Sequence, residues 1–337
     1  MKAVGFRAPL PIDHPDALVD VELPAPEPGP RDLLVEVAAV SVNPVDTKVR
    51  VRETPAPGAV RVLCWDAAGT VKAVGPAVTM FKPGDEVFYA GSLPRPGTNA
   101  ELHLVDERIV GPKPKSLSFA EAAALPLTAI TAWELLFERL GVARGTAADH
   151  GTLLVIGGAG GVGSILIQLA RQLTGLTVVA TASRPETAAW CRELGAHEVV
   201  DHTRPLAGEM KRIGTPNARY VASLTGTGEH LAEIAEIVAP QGRFALIDDP
   251  ASLDALPFKR KSASIHWEFM FTRPMFETDD MIAQHHLLAE VAHLVGAGTL
   301  RTTLAETFGR IDAANLKRAH ALIESGRSRG KIVLEGF

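Results

Sequence analysis

The residues in this chain best suited to chemistry are glycines. Residues 152–164 read TLLVIGGAGGVGS. The apolar run Leu153 to Ile156 predicts a buried strand. Gly158, Gly160 and Gly163 follow at once, and then a helical pattern in Ile165, Leu166, Leu169 and Leu173. The first glycine permits a tight turn, the second lets the backbone approach a pyrophosphate, and the third lets helix and strand pack closely. Backbone N–H groups at the helix start, around Gly161, Val162 and Gly163, lie at the positive end of the helix dipole and suit phosphate. A lone GxGxxG is weak evidence. Set between a strand and a helix, it predicts a dinucleotide site.

The next predicted strand, 177–182, ends in Ser183-Arg184-Pro185-Glu186. An NAD site of this type carries a carboxylate at that strand tip for the ribose hydroxyls, and none stands there. A helix start explains Ser183 as N-cap, Pro185 in the first turn and Glu186 reaching back. It leaves Arg184 unexplained, because a cation near a helix N-terminus opposes the dipole. A 2′-phosphate would relieve that conflict by pairing with the guanidinium. These residues favour NADP(H) over NAD(H).

The elements that must position these groups fall into two rhythms. Up to about Val110 the chain is rich in Pro, Gly and β-branched residues, with predicted strands at 33–42, 68–74, 86–90 and 100–105. Ser118-Phe119-Ala120-Glu121 reads as a capping box, and Pro126 separates that short helix from a second at 128–140. From Thr152 strands (153–156, 177–182, 198–201, 219–223, 243–248, 264–271) alternate with helices (162–174, 185–194, 228–238). This alternation predicts an α/β doubly wound parallel sheet. Helices at 279–296 and 312–325 and a strand at 331–334 close the chain.

Bulk properties set the frame. A chain of 337 residues is long enough for two domains. The apolar fraction of 46% and charged fraction of 22% are ordinary for a globular protein. A net charge of −5 without a basic block excludes a nucleic-acid role. Cys64 and Cys191 are too few for a disulfide framework. No signal-peptide core and no membrane-spanning run are read, so the expectation is a cytoplasmic enzyme acting on a small molecule.

Over nearly its whole length the chain resembles the medium-chain dehydrogenase/reductase superfamily, and within it the zinc-free quinone oxidoreductases. The likeness is carried, in order, by MKAV at 1–4, SVNPVDT at 41–47, AAG at 67–69, KPGD at 82–85, the glycines of 157–163 and GKIVL at 330–334. It implies a GroES-like β-rich catalytic domain from 1–127 plus 272–337. A Rossmann domain, 128–271, is inserted, and nicotinamide and substrate share the cleft between them. Related alcohol dehydrogenases bind a catalytic zinc through a cysteine, a His-Glu pair and a second cysteine. Those positions fall at Asn43, Trp65-Asp66 and near Leu127, where neither thiolates nor a histidine is present. No metal is expected, and the histidines (His103, His266, His285 and His286 among them) read as surface or core residues.

By family position Asn43 and Thr131 lie near nicotinamide and substrate. Asp46 is either catalytic or a loop brace, and Trp65 either an aromatic wall for a flat substrate or core. The tyrosine that follows the motif in many relatives is Lys48 here. Lys331 sits where relatives place a cation on the cofactor phosphates, its plainer reading being a solvated lysine. Leu224 and Thr225 should pass near a ribose. Without zinc to stabilise an alkoxide, a quinone, whose reduced product is delocalised, is the substrate expected. The alternatives are reduction of 2-alkenals, enones or enoyl thioesters, and a non-catalytic, crystallin-like NADPH-binding protein. A homodimer through the edge strand at 264–271 is expected.

Overall fold

A computed structural model of the chain describes residues 1–145 and 150–337. It divides into two compact units, Met1–Ile130 with Phe271–Phe337, and Thr131–Met270.

In the first unit the strand Asp32–Val42 organises a seven-stranded sheet. Asp66–Val74 pairs with it antiparallel on one side, with Ser41 opposite Asp66. The C-terminal strand Lys331–Glu335 pairs on the other side, with Ile332 opposite Val42 and Val333 opposite Ser41. Alternate residues of Asp32–Val42, among them Leu33, Val35 and Val37, point into the core, as period-two patterning requires. This register puts the start of the last strand beside the end of Asp32–Val42. A helix, Pro44–Arg52, begins there. Sequence reasoning placed no helix at these residues, because VRVR alternation imitates a strand. The helix is set by its start instead: Pro44 follows an extended Asn43, whose N–H donates to Asp46 Oδ2 at 2.7 Å.

The second unit is a six-stranded parallel sheet. In chain order its elements are β1 (Thr152–Ile156), α1 (Gly161–Leu173), β2 (Thr177–Thr181), α2 (Pro185–Glu193), β3 (Glu198–Val200), α3 (Leu206–Arg212), β4 (Ala218–Ser223), α4 (Thr227–Ile237), β5 (Val238–Leu246) and β6 (Ser264–Trp267). The strand order is β3-β2-β1-β4-β5-β6, that of a dinucleotide-binding Rossmann sheet, with the switch point beside β1. Leu154, Val179, Val221 and Phe244 are each 0% exposed, and burial of this kind explains why these strands read as continuous apolar runs.

Three expectations change. Helix α3 was not anticipated. The edge strand expected over 264–271 stops at Trp267, and the chain from Thr272 to Phe276 is helical. The helical stretch Phe119–Arg139 is long and apolar enough to cross a membrane, contrary to the sequence reading, but 89% of its most apolar window is buried inside the protein. The capping box at Ser118 and Glu121 is present, with Glu121 N–H donating to Ser118 Oγ at 3.2 Å and Ser118 N–H to Glu121 Oε2 at 2.8 Å.

Candidate functional site

In the second unit the glycine loop joins β1 to α1. The left-handed turn falls at Gly157, with φ +85°, rather than at Gly158 as the motif suggested. Gly157 and Gly158 donate their N–H groups to Thr181 Oγ1 and O at 3.0 and 3.2 Å, tying the loop to the end of β2. A Cβ on Gly158 would come within 2.8 Å of Ala180 Cβ and 3.2 Å of Cys191 Sγ. A Cβ on Gly163 would stand 2.5 Å from both the Gly157 and Gly158 carbonyl oxygens. Gly160 differs. Its would-be Cβ meets no protein atom nearer than the Gly157 oxygen at 3.5 Å, and no side chain caps the helix it starts. The fold itself therefore does not require glycine at 160. A pyrophosphate lying on the N–H groups of Gly161, Val162 and Gly163 would require it, and these residues fit one.

The neighbouring loop after β4 lies against this turn. Leu224 N–H donates to Ile156 O at 3.0 Å, and Thr225 Cγ2 would lie 3.0 Å from a Cβ on Gly157. Both predicted ribose contacts thus border the cradle. The start of α4 is already answered: Thr227 donates its N–H (2.9 Å) and its hydroxyl to the Asp248 carboxylate.

After β2 the helix cap is Arg184, not Ser183. Thr187 Oγ1 accepts the Arg184 N–H at 3.3 Å and donates to the Arg184 carbonyl at 2.9 Å, which draws the helix start one residue onward. Glu186 pairs with the Arg184 guanidinium at 2.8 Å instead of capping. That carboxylate partly relieves the conflict between the cation and the helix dipole.

Thr131 is buried, on the helix Pro126–Trp133, just ahead of a π-helical turn, Glu134–Arg139. Such turns concentrate at functional sites. Arg139 Nε donates to Glu268 Oε2 at 2.8 Å, and burial, with the charge of the neighbouring Glu134, pushes the Glu268 carboxyl up to about 9. No motif announced this pair of buried acids.

In the first unit the register described above gathers Asn43, Asp46, Asp66 and Lys331. Lys331 is 3% exposed, and its ammonium donates to Asp66 Oδ2 (3.0 Å), Val42 O (3.1 Å) and Asn43 Oδ1. An ammonium has three donors, and all three are engaged. Lys331 is therefore neither the solvated lysine nor the phosphate-facing cation of the sequence reading. The Asn43 amide donates to Asp66 Oδ2 at 2.8 Å and Ser41 O at 3.1 Å, so the whole side chain is committed within the fold rather than offered to a substrate oxygen. Asp66 Oδ1 accepts the Leu127 N–H at 2.7 Å. Asp46 accepts the N–H groups of Asn43 (2.7 Å) and Cys64 (2.8 Å) and braces the loop. Burial pushes the Asp46 carboxyl up to about 7 against the pull of those N–H groups and of Lys331. Burial also raises Asp66, with Lys331 as the main opposing influence.

Trp65 is fully buried. Its indole N–H donates to Ser92 O at 3.1 Å, and its ring meets Phe271 edge-on at 5.8 Å. Core packing, not an aromatic wall, describes it.

This donor set does not suit zinc. An amide stands where a thiolate is needed and an indole where an imidazole is needed, and the one carboxylate is already neutralised by an ammonium. Among the described residues no three His, Cys, Asp or Glu side chains are grouped to hold a metal ion. His103 lies between the Tyr89 hydroxyl (3.1 Å) and Pro96 O (3.0 Å), and His285 Nδ1 is 2.6 Å from Val110 O.

Comparison with known proteins agrees with this architecture. Residues 29–126 match the alcohol dehydrogenase GroES-like domain family and residues 194–334 the zinc-binding dehydrogenase family. A zinc-type alcohol dehydrogenase-like protein of Staphylococcus aureus is 41% identical over 99% of both chains. A quinone oxidoreductase of Pseudomonas aeruginosa is 31% identical, again over 99% of both. The crystal structure of a Rhizobium etli protein provisionally named a zinc-dependent alcohol dehydrogenase shares 60% identity and superposes with a TM-score of 0.96, covering 100% of this chain and 98% of that one.

Proposed function

The chain belongs to the medium-chain dehydrogenase/reductase superfamily and is quinone oxidoreductase-like, and from that premise we propose that it is a zinc-independent NADPH:quinone reductase. The observation that carries this reading is the Lys331–Asp66 pair, a fixed ammonium that neutralises the carboxylate standing in the His-Glu position of zinc-dependent relatives. A site of this kind offers no Lewis acid to a developing alkoxide. It suits an acceptor that spreads its own charge over a ring. The Pseudomonas aeruginosa quinone oxidoreductase supports the same substrate class.

When bound, the reduced nicotinamide supplies the hydride. The chain's own part is positioning. Gly158, Gly160, Gly161, Val162 and Gly163 hold the pyrophosphate, Leu224 and Thr225 border the ribose, and Ser183 and Arg184 meet the 2′-phosphate. The Thr131 hydroxyl is the donor proposed for the substrate oxygen, and Asn43 with Asp46 keeps its loop in place as a positioning group. Trp267 and Phe269 are 53% and 45% exposed on the edge strand β6 and just beyond it. These apolar surfaces support a homodimer formed through that edge.

The test is NADPH oxidation by chelator-treated protein, with 9,10-phenanthrenequinone in one cuvette and trans-2-hexenal in another. Fast quinone turnover with little enal turnover is the expected result. The reverse preference would replace the reading with alkene reduction. Turnover of neither, with NADPH still bound, would point to the non-catalytic class.

A further inference from the structure

The π-helical turn carries an arrangement that the cofactor and substrate contacts above do not use. In an ordinary helix, positions five apart, such as Glu134 and Arg139, stand about 140° apart around the axis. Here the turn is wider, and Leu140 N–H donates to Leu135 O at 2.8 Å, an i→i+5 bond. The widening swings Arg139 towards the face that carries Glu134. Both side chains meet Glu268, the first residue beyond β6. Glu134 is 1% exposed and Glu268 2%.

Glu268 Oε2 accepts from Arg139, whereas Oε1 is buried and no N–H or hydroxyl among the described residues reaches it. The Glu268 carboxyl shares a hydrogen bond with that of Glu134. Two carboxylates cannot make such a bond, because neither has a donor. One of them therefore carries a proton, as acids in contact must. Charged groups on the neighbouring strands are engaged elsewhere. His266, two residues earlier on β6, lies 2.9 Å from Ser264 Oγ, and Arg243 on β5 donates to Leu140 O at 2.8 Å. The Arg139 side chain is 33% exposed and marks where the pair meets water. Thr131 precedes Glu134 by three positions, a spacing that makes neighbours on one helix face.

We propose that Glu134 and Glu268 hold one proton between them and pass it, by way of the Thr131 hydroxyl, to the oxygen of the reduced acceptor. This rests on the quinone-reductase reading above and gives the source of the proton that Thr131 hands on. Conversion of a quinone to a hydroquinone takes a hydride and a proton. With NADPH as the hydride source, the Thr131 O–H bond breaks as the acceptor gains its own. The acid O–H bond of the pair breaks in turn and restores the hydroxyl. Left doubly negative beside Arg139, the pair regains its proton from water. Glu134 and Glu268 act through Thr131 and are positioning residues for that proton. The rate should therefore fall as pH rises through the range in which the pair becomes fully ionised.

Infrared spectroscopy of the full chain, with steady-state kinetics on NADPH and 9,10-phenanthrenequinone, tests this. At about pH 8 the native protein should show a carboxylic-acid carbonyl band, sensitive to heavy water, that Glu268→Gln diminishes. The glutamine amide can still donate to Glu134 and accept from Arg139, but it has no proton to give. Glu268→Gln should lower kcat by about tenfold or more and remove its alkaline fall, with both KM values within about twofold. Glu134→Gln should behave alike. Thr131→Val cuts the path at its other end, and should also remove the alkaline fall while leaving the infrared band in place. Glutamine variants that keep the native kcat and pH profile, whatever they lose in stability, would overturn the proposal and leave the quinone-reductase reading standing. Should those variants not fold, a native pH profile in Thr131→Val would overturn it equally. Native protein that turns over no quinone would overturn that reading, and this inference with it.

Discussion

The two clusters that looked most like chemistry differ in what their atoms are doing. In the unit formed by Met1–Ile130 and Phe271–Phe337, the side-chain polar atoms of Asn43, Asp46, Asp66 and Lys331 are all hydrogen-bonded within the fold. In the unit Thr131–Met270, the glycine loop presents backbone N–H groups at a helix start that no side chain caps. The first cluster is rich in reactive residue types, and all are occupied. The second has almost no side chains at all, and its donors are free of side-chain competition. A binding site is marked by groups the fold leaves uncommitted, because a buried polar atom without a partner is costly unless something else pairs with it.

Removing Lys331 should produce the largest effect. Lys331→Met leaves the Asp66 carboxylate buried and unpaired, at a cost of roughly 3–5 kcal/mol in unfolding free energy by denaturant titration. Lys331→Met combined with Asp66→Leu should recover much of the loss. NADPH affinity, measured where the variant is still folded, should stay within about twofold. A large loss of affinity with little loss of stability would make Lys331 a phosphate ligand after all, and the contrast between the two units would fail.

Acid sharpens the same contrast. His320 is buried with no hydrogen-bond partner on either ring nitrogen. Burial, then the charge of Arg50, depress it to about 3. The unfolded chain takes up the proton below about pH 6.5, and the folded chain does not. Stability is therefore fully present above that pH and is lost as pH falls towards 3. Between about pH 6.5 and 4 the loss should be on the order of 2–3 kcal/mol, and His320→Leu should flatten it in denaturation curves.

In the glycine loop, two changes of the same size should part company. Gly163→Ala drives a methyl into two carbonyl oxygens and should cost roughly 1–3 kcal/mol of stability. Gly160→Ala should leave the melting temperature nearly unchanged yet weaken NADPH by about tenfold or more, since only the pyrophosphate needs that space. Equal NADPH binding by Gly160→Ala and native protein would show that the cradle does not work as argued.

The smallest effect on the fold should come from Trp267→Glu. Stability within a protomer should change by about 0.5 kcal/mol or less. Sedimentation should nevertheless shift from dimer towards monomer, and an unchanged sedimentation profile would move the interface elsewhere.

Local signals were legible in the chain. The strand–glycine–helix order, the alternation of periods two and 3.6, and the Ser118–Glu121 capping box each depend on residues a few positions apart. Errors arose where two local signals competed. Ser183 has the right chemistry for a cap, but Thr187 binds the backbone of Arg184 and moves the helix start by one residue. Pro44–Arg52 alternates like a strand, yet Asn43 and Asp46 start a helix there.

The sequence by itself determined the architecture of the nucleotide-binding unit and the place of the glycine turn proposed to hold phosphate, because glycine's missing side chain acts within one turn of chain. It also determined that zinc's ligands are missing, since that is a matter of residue type. Tertiary structure alone decided what Lys331, Asn43 and Trp65 do. Lys331 reaches Asp66 across 265 residues of sequence, through the register of a C-terminal strand laid beside Asp32–Val42. Whether a buried charge meets a phosphate or a carboxylate depends on which group that register brings within 3 Å of it, and no short-range pattern encodes it.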